Sequence, residues 1–156
     1  MKDQKNRLTN ERDFRQDPNY KPADPEKAKL ILKLGMMITD RYLVKYTRSM
    51  KYDDPEYWAL DAVLTKEEAK FLLSFKKTRV PYSPEQLAKM NNMSVEETQK
   101  MIDRLCWIGM VEMTREGPEK TKHYNVPIFV PGSAEFMMMN DKLTDEHPQL
   151  ATFFNL

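Results

Sequence analysis

The sequence predicts a mainly α-helical chain carrying one small antiparallel β-ribbon. Three observations carry that expectation. Capping signatures recur at Thr65-Lys66-Glu67-Glu68, Ser83-Pro84-Glu85-Gln86 and Ser94-Val95-Glu96-Glu97, where a hydroxyl can accept the third amide and the acid or amide can reach back. Asn91-Asn92-Met93 supplies a tight turn between the last two helices. Gly109 then ends the final apolar stripe, and Met110–Met113 and His123–Val126 flank a turn at Gly117-Pro118. Helix, turn, helix and ribbon follow in that order over Ser83 to Val130. The order specifies a winged helix-turn-helix, here with an N-terminal helical extension.

Residues 1–25 are polar and punctuated by Pro18, Pro22 and Pro25. Such a segment buries too little apolar surface to offset its ordering entropy, so a flexible arm is expected. The helical extension covers 26–64. Its first helix is expected to run from Pro25 to about Thr47, with Asp24 as cap and Pro25 at the position that needs no amide donor. Leu30, Ile31, Leu34, Ile38 and Tyr42 recur at spacings of three and four, while Gly35 and Thr39 weaken its continuity. Lys51-Tyr52-Asp53 links to a short helix opened by Asp54-Pro55, which carries Tyr57, Trp58, Leu60, Ala62 and Val63.

The winged domain spans 65–130. Within it, Lys76–Tyr82 reads as a short extended connection, the position of a small first strand. Residues 131–156 read as a C-terminal tail with a short helix. Pro127, Pro131 and Gly132 break regularity, Ser133–Met139 suits a helical turn or two, and a last helix is expected from near His147-Pro148. The apolar Phe153-Phe154-Asn155-Leu156 end has no cap, which suggests a truncated element or a dimer contact.

The 25 basic and 24 acidic side chains leave a net charge of +1, so no global field draws a polyanion. The charge is unevenly placed: residues 1–22 sum to +2, 23–52 to +4, 53–75 to −4 and 76–156 to −1. Cys106 is the only cysteine, which excludes an intramolecular disulfide or an iron–sulfur ligand set within this chain. A reducing cytoplasm is the expected compartment. Met1–Arg7 leads into no apolar run of a signal peptide. The most apolar stretch, Leu30 to Tyr46, is interrupted by Lys33, Asp40, Arg41 and Lys45, so no membrane partner is expected.

A winged helix invites a nucleic-acid reading, and the second helix of the motif argues against it. With Val95, Thr98, Met101, Ile102, Leu105, Cys106 and Ile108 inward, the outward residues are Glu96, Glu97, Gln99, Lys100, Asp103 and Arg104. Two bases then stand against three acids, and both glutamates occupy the turn that would enter the groove. If DNA were bound, Lys100, Arg104, Lys120 and Lys122 would reach phosphate and Gln99 a base edge. The other reading is a protein-contact module, since a fold does not fix a function. Met137-Met138-Met139 cannot all face inward on one helix, and adaptable methionines suit a partner surface. With Phe153 and Phe154, they are the candidate protein contacts.

No catalytic constellation emerges. His123 and His147 share no ligand spacing, and Cys106 has no histidine near it in sequence. Gly35, Gly109, Gly117 and Gly132 form no phosphate-cradling loop. The acid pairs Asp53-Asp54, Glu67-Glu68 and Glu96-Glu97 stand at helix starts, where the helix dipole explains them. No cofactor is expected within the chain.

Several stretches resemble the N-terminal region of large anaerobic bacterial oxidoreductases that join iron–sulfur clusters to a flavin-binding, pyridine-nucleotide-disulfide-reductase-like module. They are Leu64–Leu73, Arg79–Ala88, Leu105–Glu112, Tyr124–Met137 and His147–Phe154, over roughly residues 60–156. The run Pro127-Ile128-Phe129-Val130-Pro131-Gly132-Ser133-Ala134-Glu135-Phe136 is the most specific. The resemblance implies an accessory domain whose partners are redox domains or subunits of a larger enzyme. The iron–sulfur cluster and flavin would belong to that remainder, because its cysteine clusters and nucleotide-binding glycines would follow Leu156.

Overall fold

The computed structural model describes residues 19–147 and Leu150, mainly helical with one two-stranded antiparallel sheet. The helices are α1 (Pro25–Ile38), α2 (Tyr42–Thr47), α3 (Pro55–Val63), α4 (Lys66–Leu73), α5 (Pro84–Met90) and α6 (Val95–Ile108). Strands β1 (Glu112–Glu116) and β2 (Thr121–Asn125) follow, then a π-helical turn (Phe129–Ser133), α7 (Ala134–Met139) and α8 (Asp141–Glu146). No described helix is long and apolar enough to cross a membrane.

Asp24 starts α1 by accepting the amides of Glu26 and Lys27, both at 3.1 Å. The helix buries Ala28, Ile31, Leu34 and Ile38 against α3 and α4. It stops at Ile38 rather than continuing to Thr47. Thr39 turns to extended backbone and donates its hydroxyl to Glu56 Oε1 at 3.0 Å, a contact 17 residues away that outweighs helical continuity. Tyr42, expected on the buried stripe, is therefore on the surface.

Thr65 and Ser83 form reciprocal capping boxes with Glu68 and Gln86. Ser94 forms half of one. Its hydroxyl accepts the Glu97 amide at 3.1 Å, and no return bond from the Glu97 side chain joins it among the described residues. Ser94→Ala is expected to cost about 1 kcal/mol and to lower the melting temperature by about 2–4 °C. An unchanged melting temperature would mean that other contacts set the start of α6. Asn92, at φ 53, makes the left-handed turn that reverses the chain between α5 and α6, a conformation its short amide tolerates.

The ribbon starts two residues later than the sequence suggests. Met110 and Val111 are buried, and their amides donate to Leu105 O at 2.9 and 3.3 Å, so they complete the end of α6 instead of pairing with β2. The expected first strand is one antiparallel bridge, in which Tyr82 and Tyr124 exchange bonds of 2.9 and 2.8 Å.

The core does not divide at 64/65 or at 130/131. Ile31 and Leu34 of α1, Phe71 and Phe75 near α4, Leu105 and Ile108 of α6, and Met137 and Leu143 beyond the ribbon belong to one buried cluster. The segment expected as a tail is thus packed as far as Leu150. Asn140 Oδ1 caps α8 through the Leu143 amide at 3.0 Å, a start outside the sequence expectations, and α8 ends where the last helix was expected to begin.

Candidate functional site

The C-terminal end of α6 and the start of α7 build one face. Gly109 closes α6 at φ 97, and its amide donates to Leu105 O and Cys106 O at 3.0 and 3.2 Å. A Cβ at this position would lie 2.5 Å from Phe136 Cβ, so only glycine lets α7 approach so closely. Asn140 Nδ2 then donates to Trp107 O at 3.0 Å and ties the far end of α7 to α6. Between these fixed points lies a groove of about 370 Å³ lined by Cys106, Gly109, Val111, Glu112, Met113 and Phe136.

Large apolar groups stand open along this face. Phe136 is 53% and Met139 80% exposed, and Trp107 and Met113 are about half-exposed. The Arg104 guanidinium carbon lies 4.8 Å from the centre of the Trp107 ring, within cation–π range. Burial, then the nearby Asp103 carboxylate, pushes the Cys106 thiol up to about 11, so it stays protonated at neutral pH and behaves as an apolar lining group. Burial also lowers the His147 pKa, and the Arg104 charge adds to that while Glu146 opposes it. Among the described residues no cluster of three or more His, Cys, Asp or Glu side chains could hold a metal ion.

The candidate protein contacts separate. Met137 is 0% exposed and belongs to the core, so it cannot meet a partner; Met138 is half-buried and Met139 is open. The helical period explains the split, because Met137 shares its inward face with Ala134 three residues earlier. That same step turns Phe136 outward, and no local sequence signal announces it, since the burial of Ala134 depends on how the whole segment packs. Trp107 at the end of α6 and Met113 on β1 reach the surface as well. Phe153 and Phe154 lie outside the described residues.

Of the candidate nucleic-acid contacts, Lys100, Arg104, Lys120 and Lys122 are exposed and Gln99 is half-buried, but three already face acids. Gln99 Nε2 donates to Asp103 Oδ1 at 2.9 Å, and Lys100 Nζ lies 4.0 Å from Glu96 Oε1. Arg104 Nε lies 3.8 Å from Glu68 Oε2. Lys120 stands in the turn before β2 and Lys122 on β2. Val95, expected inward, is half-exposed beside Glu96 and Glu97. The face of α6 is thus mixed in charge and lightly self-paired. Comparison with protein-family models, curated proteins and solved structures finds no match.

Proposed function

We propose that this chain is a non-catalytic winged-helix domain that docks on other protein. Its contact is the apolar face of Trp107, Met113, Phe136 and Met139, and its partner is a redox domain of an iron–sulfur/flavin oxidoreductase, in cis or between subunits. The observation that carries docking is that groove and its margin: Met113 and Phe136 line it and are open to solvent, Met139 is exposed one helical turn beyond Phe136, and Trp107 is exposed at the end of α6. Aromatic and methionine side chains next to an arginine are the groups that concentrate contact energy in protein interfaces. The winged-helix reading rests on the order of α5, turn, α6 and ribbon, with the Tyr82–Tyr124 bridge in the position of a first strand. The choice of partner rests on the sequence resemblance, above all on Pro127–Phe136.

Binding of mixed-sequence duplex DNA at low salt separates this reading from a transcriptional regulator. No salt-sensitive binding is expected, because the acids of α6 face the groove that its N-terminal turn would enter. Binding that weakens when Lys120 and Lys122 become alanine would overturn docking in favour of DNA. The partner is tested on the gene: cysteine clusters and nucleotide-binding glycines are expected downstream in the same frame or in a neighbouring subunit. Their absence from both would remove the oxidoreductase partner and leave docking to be tested alone.

A further inference from the structure

A second exposed apolar surface lies on α2, apart from the docking face. Tyr42, Leu43 and Tyr46 are 75%, 72% and 76% exposed, whereas Val44 is the one buried residue of the helix. Such exposure of three neighbouring large side chains describes a convex tip, not a groove. The two tyrosine rings stack at 6.0 Å with 20° between their planes, so each already covers one face of the other. Arg41 anchors the start of the tip through Asp54 and Glu56, and Arg48 ends the helix in the left-handed conformation at φ 52.

Around the tip the charge is positive. Lys45, Arg48 and Lys51 are exposed, and their side chains make no ion pair among the described residues; Asp40 and Asp53 are the exposed acids nearest in sequence, and Asp54 is taken up by Arg41. Cations interleaved with Tyr and Leu match an anionic interface with an apolar layer beneath. Tyrosine rings suit the headgroup level, a leucine can pass below it, and Lys and Arg can meet lipid phosphates and carboxylates. A nucleic-acid strand is served less well. It needs a cationic track with a series of free ring faces, and here Leu43 offers no ring while the stacked tyrosines present one outer face each.

We propose that α2 is a peripheral contact for an anionic lipid surface. Lys45, one of the residues that interrupt the Leu30–Tyr46 stretch, then becomes one of the cations that suit α2 to lie on a membrane. This contact is independent of the docking face, since it uses neither Trp107 nor Phe136.

The full chain is sedimented with phosphatidylcholine vesicles and with vesicles that also contain phosphatidylserine. Co-sedimentation is expected only with the anionic vesicles and is expected to weaken as salt rises. Lys45→Gln with Arg48→Gln should weaken it about 30-fold, at about fivefold per cation near an anionic surface. Leu43→Ser should weaken it as well, whereas Lys120→Ala with Lys122→Ala should leave it unchanged. Circular dichroism of each variant establishes that the fold persists; these side chains are exposed, so it should. Absence of co-sedimentation would overturn the proposal, as would binding equal in wild type and α2 variants. So would binding of a labelled single-stranded oligonucleotide that is lost in the α2 variants while vesicles are not bound.

Discussion

Arg41→Ala is expected to destabilise the protein by about 3 kcal/mol, near the lower end for breaking a buried ion pair because the arginine itself is partly exposed. The carboxylate it leaves behind sets the size of the effect. Glu56 is 2% exposed, and its Oε1 accepts from Arg41 Nε at 2.8 Å and from Thr39 Oγ1 at 3.0 Å, while Oε2 accepts from Arg41 Nη2 at 2.6 Å. Nη2 also lies 3.0 Å from Asp54 Oδ1, so one guanidinium neutralises two acids. Without it, a buried negative charge keeps a single hydroxyl donor. At about 2–4 °C per kcal/mol for a chain of this size, the melting temperature should fall by about 6–12 °C. Glu56→Gln should cost less. It removes the buried charge, keeps an acceptor for Thr39, and leaves an arginine that water can reach. Arg41→Lys should fall between wild type and Arg41→Ala, since an ammonium keeps a cation beside Glu56 but cannot serve both carboxylate oxygens and Asp54 in the same geometry. If Arg41→Ala cost no more than Glu56→Gln, the ion pair would not be what keeps this carboxylate buried.

The same cluster marks where the sequence stops being readable. Helix starts at Asp24, Thr65, Ser83 and Ser94 are set by residues within three positions of one another, so local spacing reveals them. The end of α1 is set by Glu56, 17 residues on, and a pattern of apolar spacings cannot register that bond. The start of the ribbon is hidden for a related reason. Met110 and Val111 have the composition of strand residues, but the carbonyl of Leu105 claims their amides. At the candidate site, three methionines in a row told that one or more must face out without telling which. The choice fell to the position of Ala134, whose burial depends on the packing of the whole segment after the ribbon. Cys106 on the inward stripe of α6 with no histidine near it was legible from its own helix, whereas Phe136, which shares its groove, comes from 30 residues on.

Gly109→Ala is expected to cost about 2–5 kcal/mol, from two separate causes. At φ 97 an L-residue meets its own carbonyl, at about 1–2 kcal/mol. The new methyl would also sit 2.5 Å from Phe136 Cβ and 3.5 Å from its Cγ, a collision of the kind that costs about 1–3 kcal/mol in a tight contact. Rotating the phenyl ring cannot relieve it, because Cβ is fixed to the α7 backbone. That backbone is held by Met137 in the core and by Asn140 on the Trp107 carbonyl. A double-mutant cycle separates the causes. In a Phe136→Gly background, itself weakened by a glycine within α7, Gly109→Ala should cost only the backbone part, leaving a coupling of about 1–3 kcal/mol. Zero coupling in thermal or denaturant unfolding would eliminate the collision and leave backbone strain alone. If the coupling appears, Gly109 fixes more than the end of α6. It sets how near α7 lies, and so the angle at which Phe136 and Met139 meet whatever docks there; Gly109→Ala should then weaken docking even where enough of the protein stays folded to measure it.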